Sequence, residues 1–335
     1  MVQRAGRFPI PRSVLADLLS AITREEPAVT ALDILLVDEG PGDEDRALAD
    51  ALSGSRTVIA GAAVFDEASQ TTAGDGPLAG VPVAQRLLLP RQSFLERASL
   101  GIVNVATDRN GTPRFVPMLF RTSDRLEISL PLRAAASAQG QEPFLEEGAL
   151  QLGERRIATD IGYRLPLAFY GGRGTIPTFS AADLLDDRVA PEELRGRVVV
   201  VGATVTGGGD VFPTPFDPVL PGVEVIATAI SHLIAGDALV RDQHVRRIDA
   251  AVAVVLPMAL VALLGWRRNV IGIAAAAAVL AVWGQAAAAV APTVAAAAAL
   301  TYGSGEKRAE STHGDETTPK RQRSSSAPPR REKVS

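Results

Sequence analysis

The chain has 335 residues, 47% of them apolar and 21% charged, with a formal net charge of −4. That is enough apolar material for a sizeable core plus something beyond an ordinary soluble domain. The absence of cysteine excludes disulfides and thiolate–metal sites, and an acidic body over residues 1–247, with 24 Arg against 32 acids, lacks the clustered basic surface that a nucleic-acid partner requires.

The opening stretch, MVQRAGRFPIPRS, carries charges but no apolar core, so it does not read as a signal peptide. From Arg12 to Arg24, Val14, Leu15, Leu18, Leu19 and Ile22 recur at helical spacing. Val29–Val37 is a continuous apolar strand interrupted by Asp33, and Thr57–Val64 is another. Between them, Asp43–Leu52 is a short helix with acids in its first turn. Ile102–Val105 and Arg114–Leu119 read as a hairpin, because Asp108-Arg109-Asn110-Gly111 has the turn chemistry for one. Ile128–Ala138 is helical, Arg197–Val201 is a third buried strand, and Glu224–Ala235 is a helix ending at Gly236. Unbroken apolar strands alternating with helices predict an α/β domain, a mixed sheet covered by helices on both faces, with the three apolar strands at its centre.

Ile248–Trp266 is a run of 19 residues broken only by Asp249 and Pro257. As a helix it is roughly 28 Å long, close to the ~30 Å hydrocarbon core of a bilayer. Val270–Tyr302 is a second apolar stretch, too long for one upright crossing, with Gln285 and Pro292 near a point where it folds back. The expectation is three membrane helices, about 248–266, 270–284 and 286–302. The pairs Arg267-Arg268 and Lys307-Arg308 place the intervening and following segments inside and residues 1–247 outside, although Arg246-Arg247 on the outer flank argues against it. Residues 303–335 are polar, without periodicity, and are expected to be a disordered tail.

Few residues promise chemistry. Asp33 interrupts an apolar strand and must be paired, lie at a sheet edge, or face a ligand crevice. The stretch from Gly202 to Asp210 is glycine-rich and follows a strand, but it lacks the Lys-Ser/Thr of a P-loop and the GxGxxG spacing, and it runs into Phe212-Pro213-Thr214-Pro215. The acids Asp38, Glu39, Asp43, Glu44 and Asp45 suit a helix N-terminus more than a calcium loop. His232, His244 and His313 are too scattered for a metal site. Asp210 with Thr214 is the remaining polar pair, so the ligand-binding candidates are Asp33, Asp210 and Thr214. No catalytic residue, metal site or cofactor is expected.

An ordered series of segments resembles the CHASE2 sensory domain: Phe8–Ser13, Ala31–Leu35, Asp108–Arg114, Ser129–Leu132, Phe179–Asp183, Val198–Asp210 with Thr214-Pro215, and Pro221–Val225 through Gly236. The resemblance implies the extracellular module of bacterial adenylate cyclases and kinases, with three transmembrane helices directly after it. Those receptors also have a leading membrane helix and a cytoplasmic catalytic domain. The reading is therefore a multi-pass protein of the cytoplasmic membrane, its sensory domain (1–247) outside, that receives an extracellular ligand and lacks its own output domain. Its expected partners are the bilayer, the unidentified ligand, and a second copy or a CHASE2 receptor through the membrane helices. The competing readings are a nucleotide- or phosphate-binding enzyme using the 202–210 loop and a non-functional truncated receptor.

Overall fold

The computed structural model describes residues 10–65, 76–146, 148–204, 210–239, 243–266, 274–275 and 277–283. The chain divides into two compact units, 1–256 and 257–335.

The first unit begins with α1 (Arg12–Arg24), which buries Leu15, Leu18, Leu19 and Ile22 along one stripe. No side chain of its own caps it. The carboxylate of Glu44, from the next helix, accepts the N–H groups of Arg12 (2.9 Å) and Ser13 (3.4 Å). Then β1 (Val29–Leu35), α2 (Gly42–Ser53) and β2 (Thr57–Val64) form a parallel crossover unit, with Thr30 opposite Thr57. β3 (Arg86–Leu88) returns antiparallel against β2; after α3 (Gln92–Leu95), β4 (Ser99–Ile102) pairs with β2 in parallel. Among the described residues, β13 (Val198–Gly202) completes this sheet on the other side of β1.

Alternation along β1 explains the layers. Leu32 points to the face covered by α1 and α2, where it meets Leu19, Leu48, Leu52 and Ile59. Val29 and Ala31 point to the opposite face, covered by α4 (Leu130–Gln139) and α6 (Gly222–Ala235) through Leu130, Ala134, Ile226 and Ile230. Each Leu or Ile buried this way contributes about 1.5–3 kcal/mol relative to exposure. β4 comes close to α4 because Gly101 has no side chain: a Cβ there would lie 2.5 Å from the Cα of Leu130. α4 starts at Ser129, whose hydroxyl accepts the N–H of Leu132, and stops at Gly140 in the left-handed region (φ 63).

Short antiparallel pieces build a second layer. They are β5 (Ala106–Thr107) and β6 (Pro113–Pro117), the ribbon β7 (Leu119–Arg121) with β8 (Leu126–Ile128), the meander β9 (Pro143–Glu146), β10 (Ala149–Leu152) and β11 (Arg155–Ala158), and β12 (Arg164–Pro166) beside β6. Their apolar residues, with Val225, Ala229 and Leu233 of α6, form a separate core. The short helix α5 (Ala181–Leu185) packs Leu184 into the α1–α2 core, and β14 (Val211–Phe212) pairs with β15 (Leu220–Pro221) just before α6. Helix α7 runs over Gln243–Trp266.

Two expectations need correction. Among the described residues only β1 and β2 are central, and β13 is an edge strand. It reads as a buried strand because Val199 and Val201 meet one helical layer while Val198 and Val200 meet the other. The hairpin is β5–β6, not Ile102–Val105 with its partner, because Ile102 ends β4 inside the parallel sheet. The turn itself is as the residues indicate: Asp108 Oδ1 accepts the N–H groups of Asn110 (2.8 Å) and Thr112 (3.1 Å), and Gly111 adopts φ 79.

Among the described residues no helix is long and apolar enough to cross a membrane. α7 has 24 residues with Pro257 inside it and leaves Ile248, Val254, Val255, Met258 and Val261 exposed. Residues 277–283 are helical. The expected span 286–302, residues 270–273, 276 and 284 of the expected span 270–284, the tail 303–335 and loop residues 205–209 lie outside the described residues.

Candidate functional site

The carboxyl ends of β1 and β13 lie side by side, with Asp33 paired in register to Gly202. After β1 the chain leaves toward the face covered by α2, whereas α6, the helix that follows β13, covers the opposite face. Connections that part in this way open a crevice beyond the strand ends, the usual ligand position in α/β sheets. Asp33 is half-buried and shares its face of the strand with Val29 and Ala31. Gly202 is needed for this approach, since a Cβ there would lie 2.7 Å from Val223 and 3.4 Å from a carboxylate oxygen of Asp33.

Asp210 returns the chain to the same place. Its carbonyl accepts the N–H of Gly222 (2.8 Å) at the start of α6. Burial, and then the nearby charge of Asp210, push the Asp33 carboxyl up to about 6 from an ordinary 3.8. On the first turn of α6, Glu224 accepts the N–H of Gly174 (3.1 Å), and burial also raises its carboxyl, against the opposing effects of that bond and of Arg173. The structure thus brings Asp33 and Asp210 together. Thr214 is engaged elsewhere: its hydroxyl donates to the carbonyl of Asp217 (3.0 Å) and accepts the N–H of the same residue (3.0 Å).

A family profile for the CHASE2 domain matches residues 1–266. The chain belongs to the CHASE2 domain family. No curated protein and no solved structure matches it. CHASE2 is a family of sensory domains, and the matched span takes in the whole α/β body and α7.

Within this CHASE2 domain the acidic run after β1 ties the fold together. Asp45 is held by the Arg12 guanidinium and by the N–H of Gly40 (3.2 Å), and Arg91 reaches Glu39 (3.1 Å). Among the described residues no group of three or more His, Asp or Glu is placed to hold a metal ion.

Two polar constellations were not legible from residue order. Arg246, in the first turn of α7, forms a forked pair with Asp160 (2.7 and 3.3 Å), 86 residues earlier in the chain. At the carboxyl end of α6 the buried His232 forms a network with the half-buried Tyr170 and the exposed Asp237. Its only hint in the sequence is a histidine in the last turn of a helix, with an acid just past the terminating glycine.

Proposed function

We propose that the chain is a membrane-anchored sensory module whose ligand enters the crevice between β1 and β13, and that it has no catalytic activity of its own. One observation carries the site: Asp33 is an acid set into an apolar strand, half-buried, with a second carboxylate beside it. Leaving such a group charged costs folding energy unless a partner pairs with it. Recognition is therefore of a cationic or hydrogen-donating small molecule, with Asp33 and Asp210 as acceptors. Two carboxylates repel phosphate, which argues against the nucleotide reading of the 202–210 segment. The anchor is α7 with the apolar stretch after it. The exposed Ile248, Val254, Val255, Met258 and Val261 support this, since large apolar groups on a helix need a covering phase.

Thermal unfolding of the purified whole chain with arginine, spermidine or inorganic phosphate as probes tests the site. The cations are expected to raise the midpoint in a way that Asp33→Asn abolishes. A midpoint raised by phosphate alone returns the nucleotide reading, and no response to any of the three removes the crevice.

A further inference from the structure

The turn that joins β11 to β12 brings together two arginines that the crevice does not use. Its ends are tied by the backbone: the Asp160 N–H donates to the carbonyl of Arg164 (2.8 Å), and the Arg164 N–H to that of Asp160 (3.3 Å). The Asp160 carboxylate is already taken. Its Oδ1 accepts Nε of Arg246 (2.7 Å) and the N–H of Ile161 (2.7 Å), and its Oδ2 accepts a terminal nitrogen of Arg246 (3.3 Å).

Arg164 stands beside this pair and is short of acceptors. Its guanidinium carbon lies 4.6 Å from the centre of the Phe115 ring on β6, and its Nε is buried with no hydrogen-bond partner. The hydroxyl of Thr159, one position before Asp160, is buried without a partner too. Burial pushes the Arg164 guanidinium down from its ordinary value; the charge of Asp160 opposes this and that of Arg246 adds to it. The group stays a cation all the same, because a guanidinium does not lose its proton in proteins. Two guanidiniums therefore share one carboxylate, and one positive charge is left unbalanced.

We propose that Arg164 and Arg246 form a binding site for the phosphodiester of an anionic lipid headgroup. A water satisfies an N–H without balancing a charge, and a buried charge needs both. A phosphodiester supplies both, since its oxygens accept paired N–H bonds from the arginine fork. Arg164 is half-buried, so it is not sealed from such a ligand. The position selects a lipid over a soluble anion. Arg246 lies two positions before Ile248, where the exposed apolar side of α7 begins, and Arg247 beside it is exposed. Ile161, 53% exposed in the β11–β12 turn, adds an apolar group next to the cations. Charge with an adjoining apolar group suits the boundary between headgroups and acyl chains. The choice of a lipid rests on the anchoring through α7 proposed above.

The natural chain has no cysteine, so Ile161→Cys carries a single environment-sensitive dye. The labelled whole chain in dodecyl maltoside micelles is titrated with phosphatidylglycerol or with phosphatidylcholine. The dye emission is expected to shift to the blue at an about fivefold lower mole fraction of phosphatidylglycerol, the weight of one basic residue at an anionic surface. Arg164→Gln is expected to remove that preference, and glycerol 3-phosphate to leave the emission unchanged. Equal midpoints for the two lipids, or a preference kept by Arg164→Gln, overturn the site; the unmutated chain alone decides if that variant does not fold. A shift with glycerol 3-phosphate that Arg164→Gln abolishes overturns the lipid and gives the site to a soluble phosphate ester. Flotation of the unmutated chain with vesicles of either lipid reads the anchor separately. A chain that floats but shows no preference keeps the anchor and loses this site, and one that floats with neither loses both.

Discussion

Asp33 shows how one side chain is set by its strand. Its folded carboxyl titrates near 6 against an ordinary 3.8, so the folded state binds the proton more tightly than the unfolded chain does. Stability is therefore fully present below about pH 4 and declines as the pH rises through 6. Each pKa unit is worth about 1.4 kcal/mol, so the charged form costs up to about 3 kcal/mol at pH 8. Asp33→Asn is expected to unfold at higher urea than the parent at pH 8, by an amount approaching that figure, and to match it at pH 3.5. Equal midpoints at pH 8 would show that the carboxyl is not held at a cost. That an acid inside VTALDIL needs an explanation is evident from the residues alone. Which group faces it is not, because Asp210 arrives from 177 positions away.

At the scale of elements, the periodic segments were the legible ones. α1, β1, α2 and β2 each carry an apolar pattern of one period, and each folds where that pattern lies. Strand β4 has no such pattern, and what decides it is packing: Ser99–Ile102 lies flat against α4 because Gly101 lets the two backbones meet. Gly101→Val is expected to lower stability by about 2–3 kcal/mol, since the added carbons meet Leu130 main-chain atoms that cannot turn aside. Gly42→Ala, at a position with open space around it, is expected to be neutral or slightly stabilising. Denaturant midpoints of the two variants, measured side by side, check the contrast; equal losses would mean that β4 and α4 are not in that contact. The edge position of β13 was hidden because a strand covered on both faces reads the same whether or not both its edges are paired.

At the scale of the molecule, the sensory domain and the proposed anchor make separate demands. An outward-facing domain needs its turns reachable from outside the cell. The natural chain has no cysteine, so Arg109→Cys, in the exposed β5–β6 turn, is a clean reporter. In intact cells that single thiol is expected to react with a membrane-impermeant maleimide, and the chain is expected to stay with the membranes after alkaline carbonate washing. Release by carbonate would remove the anchor. A thiol that reacts only after lysis would place the domain inside.

Composition and periodicity determined what kind of protein this is: an acidic α/β body with helices on both sheet faces, no thiol chemistry, and an apolar stretch after it. They do so because burial is read from local patterns of side chains that repeat along a few turns or strands. The tertiary structure alone decided which distant residues share a site. Arg246 with Asp160, and His232 with Tyr170 and Ala168, meet across separations that leave no periodic trace, because a polar contact needs only two groups brought within about 3 Å by a fold that other residues have built; Asp210 is likewise brought near enough to Asp33 for its charge to be felt.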